Sequence, residues 1–256
     1  MVGVVTVLVA GCVFSAQAFA KADKTMHPVI FAHGMLGFDQ LLGIQYWGND
    51  YGDFVGDPCD GFLEIGCNQY ISDDQQAFAT RVSPLDSSNA RGTELADEIE
   101  SYMATVGATH VNIVSHSQGG LDGRKAAKVL HDRTGYQVVK VLVSLSSPHR
   151  GSPVAKSILD RHDGIEQFVR ILVDYLGTPL IYGEVGDVET SLKSLTYDDY
   201  DPNDGVITGA KAFNQMYNID NTYIKHYASL ITADEDNLNP ILSLLARCLP
   251  DRIDAD

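Results

Sequence analysis

The sequence predicts an α/β fold built on a mostly parallel sheet with helices on both of its faces. Residues 27–32, 110–114 and 138–145 are short apolar segments that contain β-branched residues, as buried strands do. Residues 92–107 and 121–131 carry helical patterns and alternate with those segments. Strands that alternate with helices are typical of βαβ units, in which the strands run parallel.

The first predicted strand, residues 27–32, stops at His33-Gly34, as a buried strand does before a loop. Residues 48–76 are rich in Gly, Asp, Asn and Cys and have weak periodicity, so we expect an elaborated loop there. Residues 77–82 are a further strand candidate.

The helix predicted in residues 92–107 rests on apolar positions four residues apart, at Leu95, Ile99 and Met103. Gly107 is placed to end it, because glycine adopts the left-handed conformation that closes many helices.

Residues 158–176 place apolar side chains on one face of a predicted helix. They are Ile165, Phe168, Val169, Leu172, Tyr175 and Leu176. This face predicts either ordinary core packing or a lid over a site, within a region of about residues 155–190, and the pattern fits both. Residues 198–205 predict a turn-rich acidic loop, and residues 240–249 a short apolar helix.

Composition favours one soluble globular domain over residues 21–256 and excludes nucleic acid as a partner. With 256 residues and 45% hydrophobic content, the chain can bury a substantial core. Its 18 Lys and Arg against 34 Asp and Glu leave a net charge of -16, which repels phosphate backbones.

The N-terminus predicts export. Residues 2–20 are an apolar run that ends in the small-x-small pattern before Lys21, which is typical of a signal peptide over residues 1–20. The run is broken by Gly, Ser and Gln, which disfavours a membrane anchor. The expected location is therefore secreted or periplasmic, and the alternative is a lipoprotein that is lipidated at Cys12.

Export to an oxidising compartment permits disulfides. Cys59 and Cys67 flank a short loop and are the predicted pair, which leaves Cys248 without a partner.

The segment from Ser115 to Gly120 lies between a β-branched strand pattern and a helix pattern, where a nucleophile elbow is found. Such an elbow holds its serine in a strained turn, so the residues two before and two after it must be small. Ser115 and Gly119 are both small, although glycine is usual at the first position. Ser117 is therefore the candidate nucleophile.

A serine nucleophile needs an imidazole to take its proton and a carboxylate to orient that imidazole. The negative oxygen that develops on the substrate needs backbone N–H donors, which together form an oxyanion hole. The N–H of Gln118, directly after the serine, is one candidate donor. The N–H of Met35, in the loop after the first strand, is the other.

These segments resemble the true lipases of the Pseudomonas, Burkholderia and Proteus type. The resemblance is carried by HGMLGFD (residues 33–39), Tyr46-Trp47, Arg91-Gly92, VNIVSHSQGG (residues 111–120) and SPHRGS (residues 147–152), and it covers residues 27–156. It implies an α/β-hydrolase, a secreted triacylglycerol lipase that acts on lipid esters at a lipid–water interface. It also implies Ser117 as nucleophile, Met35 and Gln118 as oxyanion donors, and a structural calcium ion, with no cofactor needed for the chemistry.

No segment of the sequence matches the family's catalytic acid or base as clearly as these motifs match its nucleophile and oxyanion loop. Asp204 and His226 are the nearest candidates. Phe213-Asn214 resemble a later landmark of the same lipases, and Asp204 precedes it, whereas the acid of those lipases follows it. His226 lies in a predicted strand. The alternative is that both groups lie beyond Asp256, so that the C-terminal part of the domain is incomplete.

The other histidines near these motifs are expected to have structural roles. His33 would orient the oxyanion loop, His149 would anchor its own loop, and His116 would point away from the elbow. Calcium is implied by resemblance alone, because the acidic segments 198–204 and 234–236 lack the spacing of a calcium loop. No metal ligand is assigned, and solvated turns are the favoured interpretation.

The hypothesis for function is ester hydrolysis through an acyl-enzyme on Ser117, with a triacylglycerol lipase first. A carboxylesterase for soluble esters and a non-catalytic exported protein with the same fold remain as alternatives.

Overall fold

The computed structural model describes residues 25–37, 40–41, 44–45, 47, 77–176, 188–197 and 209–231. The strands are β1 (Val29–Ala32), β2 (Gln40–Leu41), β3 (Ile44–Gln45), β4 (Ala77–Ala79), β5 (Val111–His116), β6 (Val139–Leu145) and β7 (Ile224–Leu230). The helices are α1 (Ser88–Val106), α2 (Gly119–Thr134), α3 (Pro153–Leu159), α4 (Gly164–Leu176), α5 (Val188–Ser194) and α6 (Ala210–Met216).

Five of these strands form one sheet in the order β4-β1-β5-β6-β7, and every neighbouring pair is parallel. The parallel sheet predicted from the alternation of strands and helices is therefore confirmed. The short strands β2 and β3 pair with each other in an antiparallel ladder.

The individual elements follow the sequence pattern with small shifts at their ends. The candidate strand in residues 77–82 is shorter than expected, at Ala77–Ala79. Helix α1 starts four residues earlier than expected, because the Ser87 hydroxyl accepts a hydrogen bond from the N–H of Ala90 and caps it. It ends at Gly107, whose φ of 70° is left-handed, as predicted.

The main core lies between one face of the sheet and the helices α1 and α2. Ile30, Ile113 and Leu142 from the strands pack with Leu95 of α1 and Leu130 of α2, all of them buried. On the opposite face, the Phe31 ring meets the Trp47 ring edge-on at 5.2 Å between centroids.

A second apolar cluster joins α2 to the later helices. Its buried members include Leu121, Leu159, Phe168, Leu192 and Phe213, which come from α2, α3, α4, α5 and α6. Phe168 is only 4% exposed, so the first half of α4 belongs to this core.

The single helix predicted over residues 158–176 is wrong in one respect, since the structure has two helices, α3 and α4. The chain turns sharply between them, and a β-carbon on Gly164 would lie 1.9 Å from the carbonyl oxygen of Ile158. Only glycine fits so close to that carbonyl.

Several predictions concern residues outside the described ones, and the structure does not test them. They are the signal peptide with Cys12, the Cys59–Cys67 disulfide with Cys248, the acidic segments 198–204 and 234–236 with Asp204, and the helix 240–249. In the described part of the chain, no helix has both the length and the apolar character to span a membrane.

Candidate active site

Ser117 lies in the turn between β5 and α2 with a φ of 53°, in the left-handed region that favours glycine. Its N–H donates to the carbonyl of Leu145 at the end of β6, 2.9 Å away, and its carbonyl accepts from the N–H of Gly120 at 3.1 Å. A serine held in this conformation at a strand-to-helix turn is the geometry of a nucleophile elbow.

The elbow leaves no room for side chains at the two glycines that follow. A β-carbon on Gly119 would lie 2.4 Å from the carbonyl oxygen of Ala32, and one on Gly120 would lie 2.3 Å from the Ser147 hydroxyl. Ser115 fits where glycine is usual, because its buried hydroxyl donates to the carbonyl of Val143 at 3.0 Å.

The loop after β1 lies directly against Ser117. A β-carbon on Gly34 would be 2.6 Å from the β-carbon of Ser117 and 3.1 Å from its hydroxyl oxygen. In the described part of the chain, the N–H groups of Met35 and Gln118 donate to no other group. Both N–H groups are therefore free to bind an oxyanion formed at Ser117.

His33 shapes this loop from within. Its Nδ1 lies 2.9 Å from the carbonyl oxygen of Gly34, and a β-carbon on Gly37 would collide with its ring at 2.4 Å. Burial, followed by the nearby Arg91 charge, lowers the pKa of His33 to about 3. The ring is therefore neutral and donates to the loop, which is the orienting role expected from the sequence.

Arg91 is fully buried and ties the loop to the nucleophile helix. Its guanidinium donates to Asp122 Oδ2 through Nε at 2.9 Å, and a second guanidinium nitrogen lies 2.8 Å from the same oxygen. That second nitrogen, Nη2, also donates to the backbone carbonyls of His33 at 2.9 Å and of Gly34 at 3.3 Å, and Nη1 donates to the carbonyl of Ser83.

Sequence reasoning noted Arg91 only as a landmark and did not single out Asp122. A signal was present, because Arg91 lies four residues before Leu95 and so falls on the apolar face of α1. A charged residue on a buried helix face requires a buried partner. Which residue is the partner of Arg91 depends on how α1 packs against α2.

His149 anchors its own loop, as expected. Its Nε2 is 2.9 Å from the hydroxyl of Ser144, and its carbonyl accepts from Asn214 at 2.9 Å. Arg124 donates to the same Asn214 side chain at 2.8 Å. Burial and then the Arg124 charge lower the pKa of His149 to about 4, so this imidazole is a neutral structural group.

The structure contradicts His226 as the base for Ser117. His226 pairs with Val141, whereas His116, directly before Ser117, pairs with Leu145, which in turn pairs with Leu230. Four residues at about 3.3 Å each place His226 roughly 13 Å lower along the sheet. Proton transfer needs contact at about 3 Å or through one water.

The described residues therefore contain the candidate nucleophile and both candidate oxyanion donors, but no imidazole among them is hydrogen-bonded to the Ser117 hydroxyl. Burial lowers the pKa of His116 and favours its neutral form. Asp204 lies outside the described residues. Within the described ranges, no three carboxylate, imidazole or thiol groups lie close enough together to hold a metal ion.

Comparison with known proteins gives relatives for about half of the chain, although no protein-family model matches it. A triacylglycerol lipase of Vibrio cholerae is 33% identical over 143 residues, which are 55% of this chain and 39% of that protein. A triacylglycerol lipase of Burkholderia plantarii is 31% identical over 59% of this chain and 38% of its own length. The chain thus spans about two fifths of the length of these curated relatives.

Among solved structures, the mature form of the Bacillus licheniformis lipase BlEst2 has a TM-score of 0.47 at 20% identity, over 82% of this chain and 69% of that one. The fold is assigned from the sequence relatives and from the geometry around Ser117. The chain has an α/β-hydrolase fold, and over more than half of its length it is similar in sequence to bacterial triacylglycerol lipases.

Proposed function

We propose that this chain carries the nucleophile and oxyanion site of a serine hydrolase that cleaves lipid esters, as a triacylglycerol lipase does. The observation that carries the proposal is the left-handed Ser117 at a strand-to-helix turn, with the Gly34 loop packed against it. Residues in such strained conformations cluster at functional sites, where the surrounding structure imposes them.

The reaction would begin with attack of the Ser117 hydroxyl oxygen on the ester carbonyl, while a base takes the hydroxyl proton. The carbonyl oxygen becomes negative and would accept hydrogen bonds from the N–H groups of Met35 and Gln118. Collapse of this intermediate breaks the ester bond, and the alcohol leaves with a proton from the protonated base. Water then attacks the acyl-enzyme and releases the carboxylic acid.

Two features support an apolar, uncharged substrate. Met35 and Leu36, in the loop packed against Ser117, are only partly buried against the second apolar cluster, so apolar side chains remain partly exposed in that loop. The net charge of -16 disfavours anionic substrates and anionic lipid surfaces. Both features fit the acyl chain of a neutral lipid ester.

A fluorophosphonate probe tests the nucleophile. We expect covalent labelling of the intact chain at Ser117, found by peptide mass spectrometry, and its loss in Ser117→Ala because the attacking oxygen is gone. Ser101→Ala is a matched control, since Ser101 is an exposed serine on α1. Labelling that persists in Ser117→Ala, or that is absent from the unaltered chain, would contradict the assignment and favour a non-catalytic protein.

Emulsified and dissolved esters separate a lipase from an esterase. We expect the hydrolysis rate of a short-chain triacylglycerol to rise sharply once its concentration exceeds its solubility and an interface forms. A rate that saturates below that point and stays flat above it would identify a carboxylesterase for soluble esters.

We also propose that the protein is exported, with residues 1–20 removed and Cys59 linked to Cys67. Intact-mass analysis after expression in a bacterium with an export pathway should give a mature chain beginning at Lys21. Non-reducing peptide mapping should recover the two cysteines in one linked species. A lipid-modified Cys12 would instead support the lipoprotein alternative, and an uncleaved chain would contradict export through a signal peptide.

A further inference from the structure

The peptide group between Gly34 and Met35 is held at its carbonyl end. The Gly34 oxygen lies within hydrogen-bond distance of three donors, which are Arg91 at 3.3 Å, His33 Nδ1 at 2.9 Å and the Gly37 N–H at 3.1 Å. A trans peptide is planar, and its N–H points opposite to its C=O. Holding the Gly34 oxygen therefore sets the direction of the Met35 N–H, which points away from Arg91.

The second oxyanion donor belongs to the turn that carries Asp122. The N–H of Asp122 donates to the Gln118 carbonyl at 3.1 Å, so the two residues share the first turn of α2. The Gln118 side-chain amide is also fixed, since it donates to the Asp86 carbonyl at 2.9 Å and to the Ser88 hydroxyl at 3.2 Å. The positions of Asp122 and Gln118 are therefore coupled through this turn.

A single buried carboxylate thus connects the two donors. The Asp122 carboxylate, on the helix that positions Gln118, accepts a hydrogen bond from the Arg91 guanidinium. The same guanidinium donates to the His33 and Gly34 carbonyls. Gln118 also contacts Ser88 at the start of α1, but among the described contacts the carboxylate is the one that joins the guanidinium itself to α2. Both side chains are buried, so the link is not weakened by solvent.

We propose that Asp122 is a positioning residue that sets the spacing between the Met35 and Gln118 N–H groups, through Arg91. The inference rests on the proposed function, in which these groups bind the oxyanion. Asp122 would not touch the substrate itself. Its effect would be to keep the pair of donors aligned on one oxygen atom.

The charged groups that face Asp122 make its ionisation a usable probe. Burial raises the pKa of Asp122 to about 6, while Arg91 and the Ser88 hydroxyl act in the opposite direction and Glu94 adds to the increase. His33 faces the same guanidinium but is neutral above about pH 3. Near pH 6, Asp122 is therefore the group of this cluster that changes charge.

The first test follows the Met35 amide by NMR in the full chain labelled with 15N-methionine, with the signal assigned by its loss in Met35→Leu. We expect this signal to titrate as Asp122 gains its proton near pH 6, and the titration to vanish in Asp122→Asn. Asp132→Asn, the same change in an exposed ion pair on the same helix, should leave it intact. A Met35 signal that titrates equally in Asp122→Asn would overturn the proposal.

The second test is the rate of Ser117 labelling by a fluorophosphonate. We expect Asp122→Asn to slow labelling by about tenfold to a hundredfold, because a displacement of about 1 Å at a catalytic group has effects of this size. The Asp132→Asn variant should label at the original rate.

A double variant covers the case in which Asp122→Asn does not fold. Arg91→Met/Asp122→Leu removes both buried charges together, which proteins often tolerate without loss of stability. We expect it to be less destabilised than Arg91→Met, because no buried carboxylate is left without its partner, yet to label at least tenfold more slowly than the unaltered chain. A folded double variant that labels at the original rate would show that the pair is merely structural.

The two proposals fail in different ways. If the unaltered chain does not label while its Met35 amide follows Asp122, the hydrolase function fails and the positioning link stands. If the chain labels but Asp122→Asn changes neither the rate nor the amide signal, the link fails and the hydrolase function stands.

Discussion

Gly34→Ala is expected to reduce the rate of Ser117 acylation by about 10²- to 10³-fold, the loss that follows removal of one oxyanion donor. The added β-carbon would lie 2.6 Å from the Ser117 β-carbon and 3.1 Å from the His116 carbonyl oxygen. Neither atom can retreat, because the elbow is fixed by its bond to Leu145. The loop must therefore move away and take the Met35 N–H with it.

The measurement is the rate of fluorophosphonate labelling, together with hydrolysis of a short-chain ester and a thermal melt. Gly123→Ala is the matched control in α2, since its β-carbon would meet a flexible Leu142 methyl group at 3.0 Å. The control should keep its rate within about twofold, because no backbone near Ser117 has to move. Equal rates in Gly34→Ala and the unaltered chain would mean that the Met35 N–H is not part of the oxyanion hole.

Arg91→Met is expected to destabilise the folded chain by about 3–5 kcal/mol at neutral pH, because it leaves the Asp122 carboxylate buried without its partner. Asp122 is about 1% exposed at its side chain, so water cannot replace the guanidinium. Chemical denaturation of the variant and of the unaltered chain measures this difference. Arg133→Met is the control, since it breaks exposed ion pairs and should cost at most about 1 kcal/mol.

The loss in Arg91→Met should depend on pH in a defined direction. Burial raises the pKa of Asp122 to about 6 in the folded chain, above its ordinary value of 3.8, and the Arg91 charge works against that increase. Without Arg91 the folded-state pKa rises further, so the folded state binds the proton more tightly than the unfolded state. The destabilisation relative to the unaltered chain is therefore full above the raised pKa of the variant, and it shrinks as the pH falls towards about 6, below which the carboxyl is protonated in both folded chains. A deficit that grows on acidification would contradict this account of Asp122.

The local patterns in the sequence were sufficient to predict most of the sheet and the elbow. Apolar runs and four-residue spacing depend on neighbours along the chain, which is why the strands around Ser117 and the end of α1 at Gly107 were predicted correctly. The break between α3 and α4 was missed because the apolar spacing continues across it. The turn is revealed by the structure, in the hydrogen bond from the Gly164 N–H to the Arg161 carbonyl at 3.2 Å and in the close approach of Gly164 to the Ile158 carbonyl.

The candidate histidines show more clearly what sequence spacing cannot predict. The sequence places His226 at a tempting interval after Asp204, but a strand's register is set by its partner, and β6 aligns His226 with Val141. The number of residues between Asp204 and His226 does not determine where His226 lies along its strand relative to Ser117. His33 and His149 were given structural roles from their motifs, and their buried contacts agree with those roles.

By itself, the sequence determined that this protein has a parallel α/β sheet and a strand-to-helix turn at Ser117, and it marked the loop after the first strand as the candidate oxyanion loop, because each of these features depends on contiguous residues. Only the tertiary structure decided that Arg91 and Asp122, 31 positions apart, form a buried pair that joins the helix after Ser117 to the loop after the first strand. The physical reason is that a buried charge takes its partner from whichever helix packs against it, and packing between helices is not encoded in either helix alone.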